Sequence, residues 1–227
     1  MSQALVKPIP ALRHCFVAGL RFDREVQYQL KAGSVKRWCN LPIKPHPEED
    51  AVYSQARGLR LGLMQCMVVV GQLPWSQVQQ AIEPYMDLPL HDIDLGACGL
   101  GTAWDLGVCS AMDLYVQNRD SWRVWQTRLG QLVLEVVESG SMCVVGFDDG
   151  SSSSTRWASV VGVEYLVNSG LVRALLLLDA SGDEPWACGH NARLELKAGR
   201  GAVCRHLGGQ VFAAFPTRLV VVQRRSI

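Results

Sequence analysis

From Met142 onward the chain is a succession of short apolar runs rich in valine and leucine and cut by turn residues, a pattern few architectures accept. The runs MCVVGF (142–147), WASVVGVEYLV (157–167) and VRALLLLDA (172–180) are each long enough for one strand. Between the last two, NSG at 168–170 has the composition of a tight hairpin turn, and DDGSSSS after Phe147 that of a loop. Further strands are expected at 192–197, 209–214 and 217–224. Sequential strands with such short connections pair as an antiparallel meander.

The preceding half reads differently. Glu48, Glu49 and Asp50 suit the first turn of a helix over about 48–63, where negative charge complements the helix dipole. A second helix is expected at about 75–86, with Pro74 in its first turn. The segment from Cys98 to about residue 118 reads as a helix through small and apolar residues at 3–4 spacing. SWRVWQTRLGQLVLEVVES reads as another, with Ser121 as N-cap and Trp122, Trp125, Leu129, Leu132 and Val136 on one face. Helices first and strands after predict an α+β fold, with a helical N-terminal half packed on a C-terminal antiparallel sheet. One domain over 1–227 accommodates this. Residues 1–47, followed by the proline-rich NLPIKPHPEED, form an N-terminal extension of uncertain structure.

The chain has 227 residues, 48% of them hydrophobic and 19% charged, with a net charge of +1. That composition excludes general disorder and a collagen-like chain, and it lacks the basic excess expected of a nucleic-acid binder. No apolar run is long enough to span a bilayer, and Lys7, Pro8, Pro10, Arg13 and His14 break up any signal-peptide pattern. Eight cysteines without a C-x-x-C pair fit a reducing compartment. The expectation is a cytoplasmic protein, with non-classical export as the alternative. Cys66 and Cys143 sit in apolar runs and read as buried thiols.

Cys98 is the thiol with the most chemical promise. It follows the acidic, glycine-bearing HDIDLGA and opens the expected helix, where backbone N–H groups lower a thiol pKa and can hold an oxyanion. Such a nucleophile needs a base, and the base needs an acceptor to fix its tautomer.

The motifs ACGLGTAWDL, TRWASVVGVEY and LLLLDAS together resemble the papain-like cysteine peptidase superfamily, in its bacteriocin-processing, double-glycine-leader type. The resemblance implies a papain-like fold, with Cys98 at the nucleophile position and Asp179 at the orienting acid. It implies a histidine where this chain has Arg156, next to Trp157. Arginine stays protonated and cannot serve as a general base. The glutamine implied for the oxyanion hole is also missing, with His91, Asp92 and Asp94 in its neighbourhood.

The expected function is therefore a degenerate peptidase-like protein that binds a peptide or protein segment in a papain-like cleft. Arg156, Trp157, Asp92 and Asp94 would bind it, and the acidic stretch from 84 to 190 would attract a basic partner. One alternative is an active cysteine hydrolase or acyltransferase that uses Cys98, Asp179 and a recruited histidine, His91 or His190, with His206 a weaker candidate. Another is an interaction protein that shares only the fold. Asp179 has a plainer reading as a cap on the turn at 181–182. Cys188, His190, Cys204 and His206 form two C-x-H pairs able to bind zinc, but their one-residue gaps favour ordinary packing. The sequence thus assigns no metal, no cofactor, no nucleic-acid partner and no oligomeric state.

Overall fold

The computed structural model describes residues 11–18, 62, 104–110, 121–148, 156–179, 189–197 and 201–224. Its elements are β1 (Leu12–Phe16), β2 (Trp104–Ser110), α1 (Ser121–Glu138), β3 (Met142–Asp148), β4 (Arg156–Leu166), β5 (Val172–Asp179), β6 (Ala192–Lys197), β7 (Gly201–His206) and β8 (Val211–Arg224).

From β3 to β8 each strand pairs antiparallel with the next, and β8 pairs back onto β3. The result is a closed six-stranded antiparallel barrel. Closure depends on two long strands. Along β8, residues 211–214 pair with β7 and residues 218–224 pair with β2, while 215–222 hold β3 on the other edge. Likewise β4 takes β3 at residues 156–160 and β1 at 162–166 on one edge, and β5 on the other. Every strand edge from β3 to β8 is thereby occupied over much of its length, which removes the unpaired edges of an open sheet.

This architecture corrects the expectation of a papain-like α+β fold. The described residues are mostly strand, and a barrel stands where a helical half packed on a sheet was expected. The clearest local error is the segment after Cys98. Trp104–Ser110 is a strand in seven-residue register with β8, not part of a helix. Its small and apolar residues fit a helical spacing, but the overhang of β8 offers a backbone ladder that local spacing cannot reveal.

Alternate residues of the barrel strands point inward and interlock. Cys143, Val145 and Phe147 of β3 meet Val160 and Ala158 of β4, Leu175 and Leu177 of β5, Leu194 of β6, Cys204 of β7 and Leu219 and Val221 of β8. Most are 0–1% exposed, so this is the core. α1 forms where the sequence predicts it. Its inner face buries Leu129, Val133 and Val137, while Arg128, Gln131 and Glu135 face solvent. Gly130 brings the helix backbone close to Val172 and Leu196, where an added methyl would lie 2.8 Å from the Val172 side chain. The helix ends in a Schellman motif, with Ser141 N–H donating to Val136 O, Gly140 N–H donating to Val137 O, and Gly140 at φ 74°.

Outside the barrel, Ser159 Oγ donates to the carbonyl of the helical Gly62 at 2.7 Å, which ties that residue to β4. Elsewhere the outward face carries an ion ladder. Arg193 pairs with Glu164, and with Glu195 at 2.5 Å. Arg205 reaches Glu195 at 2.8 Å, and His14 reaches Glu164 at 3.3 Å. The ladder links β1, β4, β6 and β7. Among the described residues no helix is long and apolar enough to cross a membrane.

Candidate metal centre

The end of the barrel away from α1 gathers the polar groups. In β7 the inward positions are Ala202, Cys204 and His206, alternating with outward Val203 and the exposed Arg205. In β5 they include Leu175, Leu177 and Asp179, which is its last residue. β6 lies between these strands and begins only at Ala192, the register partner of both Leu177 and His206. The small Ala192 side chain leaves room above it, and there His206 Nε2 meets Asp179 Oδ2 at 2.9 Å. The two side chains are 2% and 4% exposed, so this polar pair is sealed within the fold.

Asp179 has no β6 residue opposite it, and a side chain fills that role. Asn191 Oδ1 accepts from Asp179 N–H, and Asn191 Nδ2 donates to Asp179 O, both at 2.8 Å. Asn191 itself is held by its N–H to Leu177 O and by Leu207 N–H to its carbonyl. The carboxylate therefore stands on a fixed backbone. His206 is fixed too, with its N–H donating to Gln210 O at the turn into β8.

Cys204 lies one inward step below His206. Its sulfur, an Asp179 oxygen and a His206 nitrogen all lie within 4.8 Å of one another, and all three residues are buried. Burial pushes the Cys204 thiol up to about 12, the Asp179 carboxylate adds to the rise, and the Arg156 guanidinium opposes it. Without a cation the cluster thus holds a neutral thiol beside the Asp179–His206 pair.

An aromatic floor borders this group. Phe212 stacks on Phe147 with ring centres 6.2 Å apart, and the His206 ring meets Phe212 edge-on at 5.5 Å. The Arg156 guanidinium sits 4.9 Å over the same Phe212 ring. Arg156 is the register partner of Phe147 and lies two residues from Ala158, the partner of Asp179. One inward face at one barrel end therefore presents a cation, a carboxylate, an imidazole and a thiol.

Of the residues singled out from sequence, Asp179, Arg156, Cys204 and His206 come to this end. Asp179 is hydrogen-bonded to His206, and the turn at 181–182 that it was expected to cap lies outside the described residues. Trp157 is buried on the opposite face of β4, and its indole N–H has no hydrogen-bond partner among the described residues. His190 is half-buried, which lowers its pKa. The charges of His14 and Arg193 lower it further and Glu164 opposes them, so it titrates in the field of the outward ladder. Cys98, His91, Asp92, Asp94, Cys66 and Cys188 lie outside the described residues. Cys143 is buried as expected.

Sequence reasoning underrated His206 by ranking it below His91 and His190 and by reading its C-x-H pair as ordinary packing. The signal that places it was the alternation Ala202–Cys204–His206, since C-x-H on a strand puts both side chains on one face. Comparison with known proteins finds no family model and no curated protein that matches the chain.

Proposed function

We propose that the chain binds a divalent transition-metal ion of the zinc class through Asp179, Cys204 and His206, and that this centre is the working site of the barrel. The observation that carries the reading is the convergence of three different ligand atoms within 4.8 Å inside one end of the barrel. Thiolate sulfur, imidazole nitrogen and carboxylate oxygen are the donor types such ions take, at bond lengths that set ligand atoms roughly 3.3–3.8 Å apart around a tetrahedral ion. A separation of 2.9 Å between His206 and Asp179 needs only a small opening to reach that range. On binding, Cys204 loses its proton to solvent and the ion takes the place of the proton shared between Asp179 and His206. Three protein ligands leave a fourth position for water or a substrate atom, the arrangement of a reactive centre. The peptide-binding reading drew its support from a papain-like cleft, and the closed barrel withdraws that support.

The test is direct. Purified protein is stripped with a chelator and titrated with Co²⁺. The expected result is saturation at one ion per chain, with a sulfur-to-cobalt charge-transfer band in the near ultraviolet. Cys204→Ser abolishes the band and His206→Ala weakens binding, while circular dichroism reports whether each variant keeps the strand signature. Absence of saturable binding by the wild-type protein, or an unchanged band in Cys204→Ser, would overturn the proposal and leave a structural hydrogen-bonded pair.

A further inference from the structure

We infer that Asn191 is the positioning residue of this centre, and that it sets which ions the centre accepts by holding the strand ends that carry Asp179 and His206 at one spacing. The inference rests on the metal reading above and adds to it the residue that confers ion selectivity.

Asn191 sits between β5 and β7, just ahead of the first residue of β6. Its main chain bridges the two ligand strands, with its N–H donating to Leu177 O and its carbonyl accepting from Leu207 N–H, both at 2.9 Å. Leu207 follows His206 directly in the chain. The Asn191 carboxamide takes the main-chain N–H and C=O of Asp179, both at 2.8 Å. A residue that is 1% exposed is thereby tied to the backbone of one metal ligand and to the chain neighbour of another.

A carboxamide offers donors and an acceptor, as a peptide group does. It satisfies Asp179 as a β6 residue would, without bringing in a further inward side chain. By alternation with the inward Ala192, the next inward position on β6 is 190. In a regular continuation of β6, that side chain would stand between Asp179 and His206. Asn191 thus keeps the gap open and fixes its width. The width bears on the ion. Asp179 Oδ2 and His206 Nε2 stand 2.9 Å apart, short of the roughly 3.3–3.8 Å between ligand atoms around a zinc-sized tetrahedral ion. A larger ion forces the ligands further apart, against strand ends that Asn191 holds at the main chain. Selectivity among metals comes from such geometry more than from raw affinity. Cadmium also favours thiolate and is larger than cobalt, so the ratio of the two affinities reads the width of the gap.

The experiment titrates chelator-stripped protein with Co²⁺ and with Cd²⁺. In Asn191→Ala, cobalt binding is expected to weaken by roughly 10–100-fold, as for other residues that orient metal ligands. The cadmium-to-cobalt affinity ratio should rise at least about tenfold, and the cobalt d–d bands should lose intensity as the site leaves tetrahedral geometry. Val133→Ala removes a fully buried core side chain on α1, at the other end of the barrel, and should lower stability while the ratio and the bands keep their wild-type values. Amide exchange in the metal-free wild-type protein needs no variant. The Asp179 N–H is expected to be as protected as the amides of the central barrel strands, and this measurement decides if Asn191→Ala does not fold. A wild-type ratio and spectrum in Asn191→Ala, the same changes in Val133→Ala, or rapid exchange at Asp179 would each overturn the inference while the wild-type cobalt site still stands. Failure of the wild-type protein to bind cobalt would sink the metal reading and this inference together.

Discussion

The Asp179 carboxylate meets the His206 imidazole at 2.9 Å although their strands are not neighbours, because β6 lies between β5 and β7 and starts too late to separate them. Two buried polar groups that satisfy each other leave a large debt when either is removed. In chelator-containing buffer, Asp179→Ala is expected to destabilise the fold by about 3 kcal/mol, and His206→Ala by a similar amount. The double variant should lose at least about 1 kcal/mol less than the two single losses together, since each single change strands the other partner. Chemical denaturation of the four proteins measures this coupling, and strict additivity would show that the pair contributes nothing as a pair.

Asn191 supports the same corner through the backbone. Its amide completes both main-chain bonds of Asp179 where β6 has no residue to do so. Asn191→Ala removes that acceptor and that donor at a residue 1% exposed, and about 3 kcal/mol of destabilisation is expected. Asn191→Asp keeps the acceptor but loses the donor and adds a buried charge, so it should fare no better. Equilibrium unfolding checks both, and a loss below about 0.5 kcal/mol in Asn191→Ala would mean that water or a rearranged main chain takes over these bonds.

Much of the barrel wall was legible in the sequence, and its closure was not. The runs that became β3, β4 and β5 are continuously apolar because both of their faces are buried, as at Val144, Val161 and Leu176. That is a local signal. The pairing of Met142 with Val222 joins residues far apart in the chain, and nothing local encodes it. The same blindness produced the helix reading of Trp104–Ser110, whose partner is the end of β8. At the candidate centre, Asp179 was singled out only through the papain-like resemblance, which implied an orienting acid there. His206 ranked low, because its significance comes from Ala192 being small and β6 being short, which are facts about neighbours. β7 was overlooked for a similar reason: GAVCRH is short, carries an arginine and is stabilised by pairing with β6 and β8 on both edges.

The outward ladder predicts how stability responds to acid. Burial pushes the Glu164 pKa up, but the hydrogen bond and charge of Arg193 outweigh it, His14 adds to them, and the net shift is downward. A carboxylate with a depressed folded-state pKa stabilises the fold above its unfolded value, about 4.3, and that contribution disappears as pH falls through the lower folded value. Wild-type stability should therefore fall below about pH 4 more steeply than that of Glu164→Gln. Thermal melts between neutral pH and the acid limb read the difference, and parallel curves would show that the ladder is energetically idle.

β1 is held to the barrel by a contact that allows no side chain. Gly162 of β4 lies so close to β1 that an added Cβ would sit 2.7 Å from the Cys15 carbonyl oxygen and 2.8 Å from Phe16 Cδ1. The obstructing oxygen is backbone, so relief requires moving the strand and not merely turning a side chain. β1 pairs with β4 through only five residues, from Leu12 to Phe16, and Leu12 is half exposed. Gly162→Ala should therefore release β1 while the barrel itself, whose β4–β5 bonds lie on the other edge, stays closed. A loss of about 1–3 kcal/mol is expected, the range for overpacking a filled contact. Limited proteolysis locates the effect. Cleavage between residues 11 and 18 should accelerate sharply in Gly162→Ala, with the fragment from residue 121 onward still resistant. Equal cleavage in both proteins would mean that β4 bends at its bulge beside Val161 to accommodate the methyl group, and that the grip on β1 comes from its ladder bonds instead.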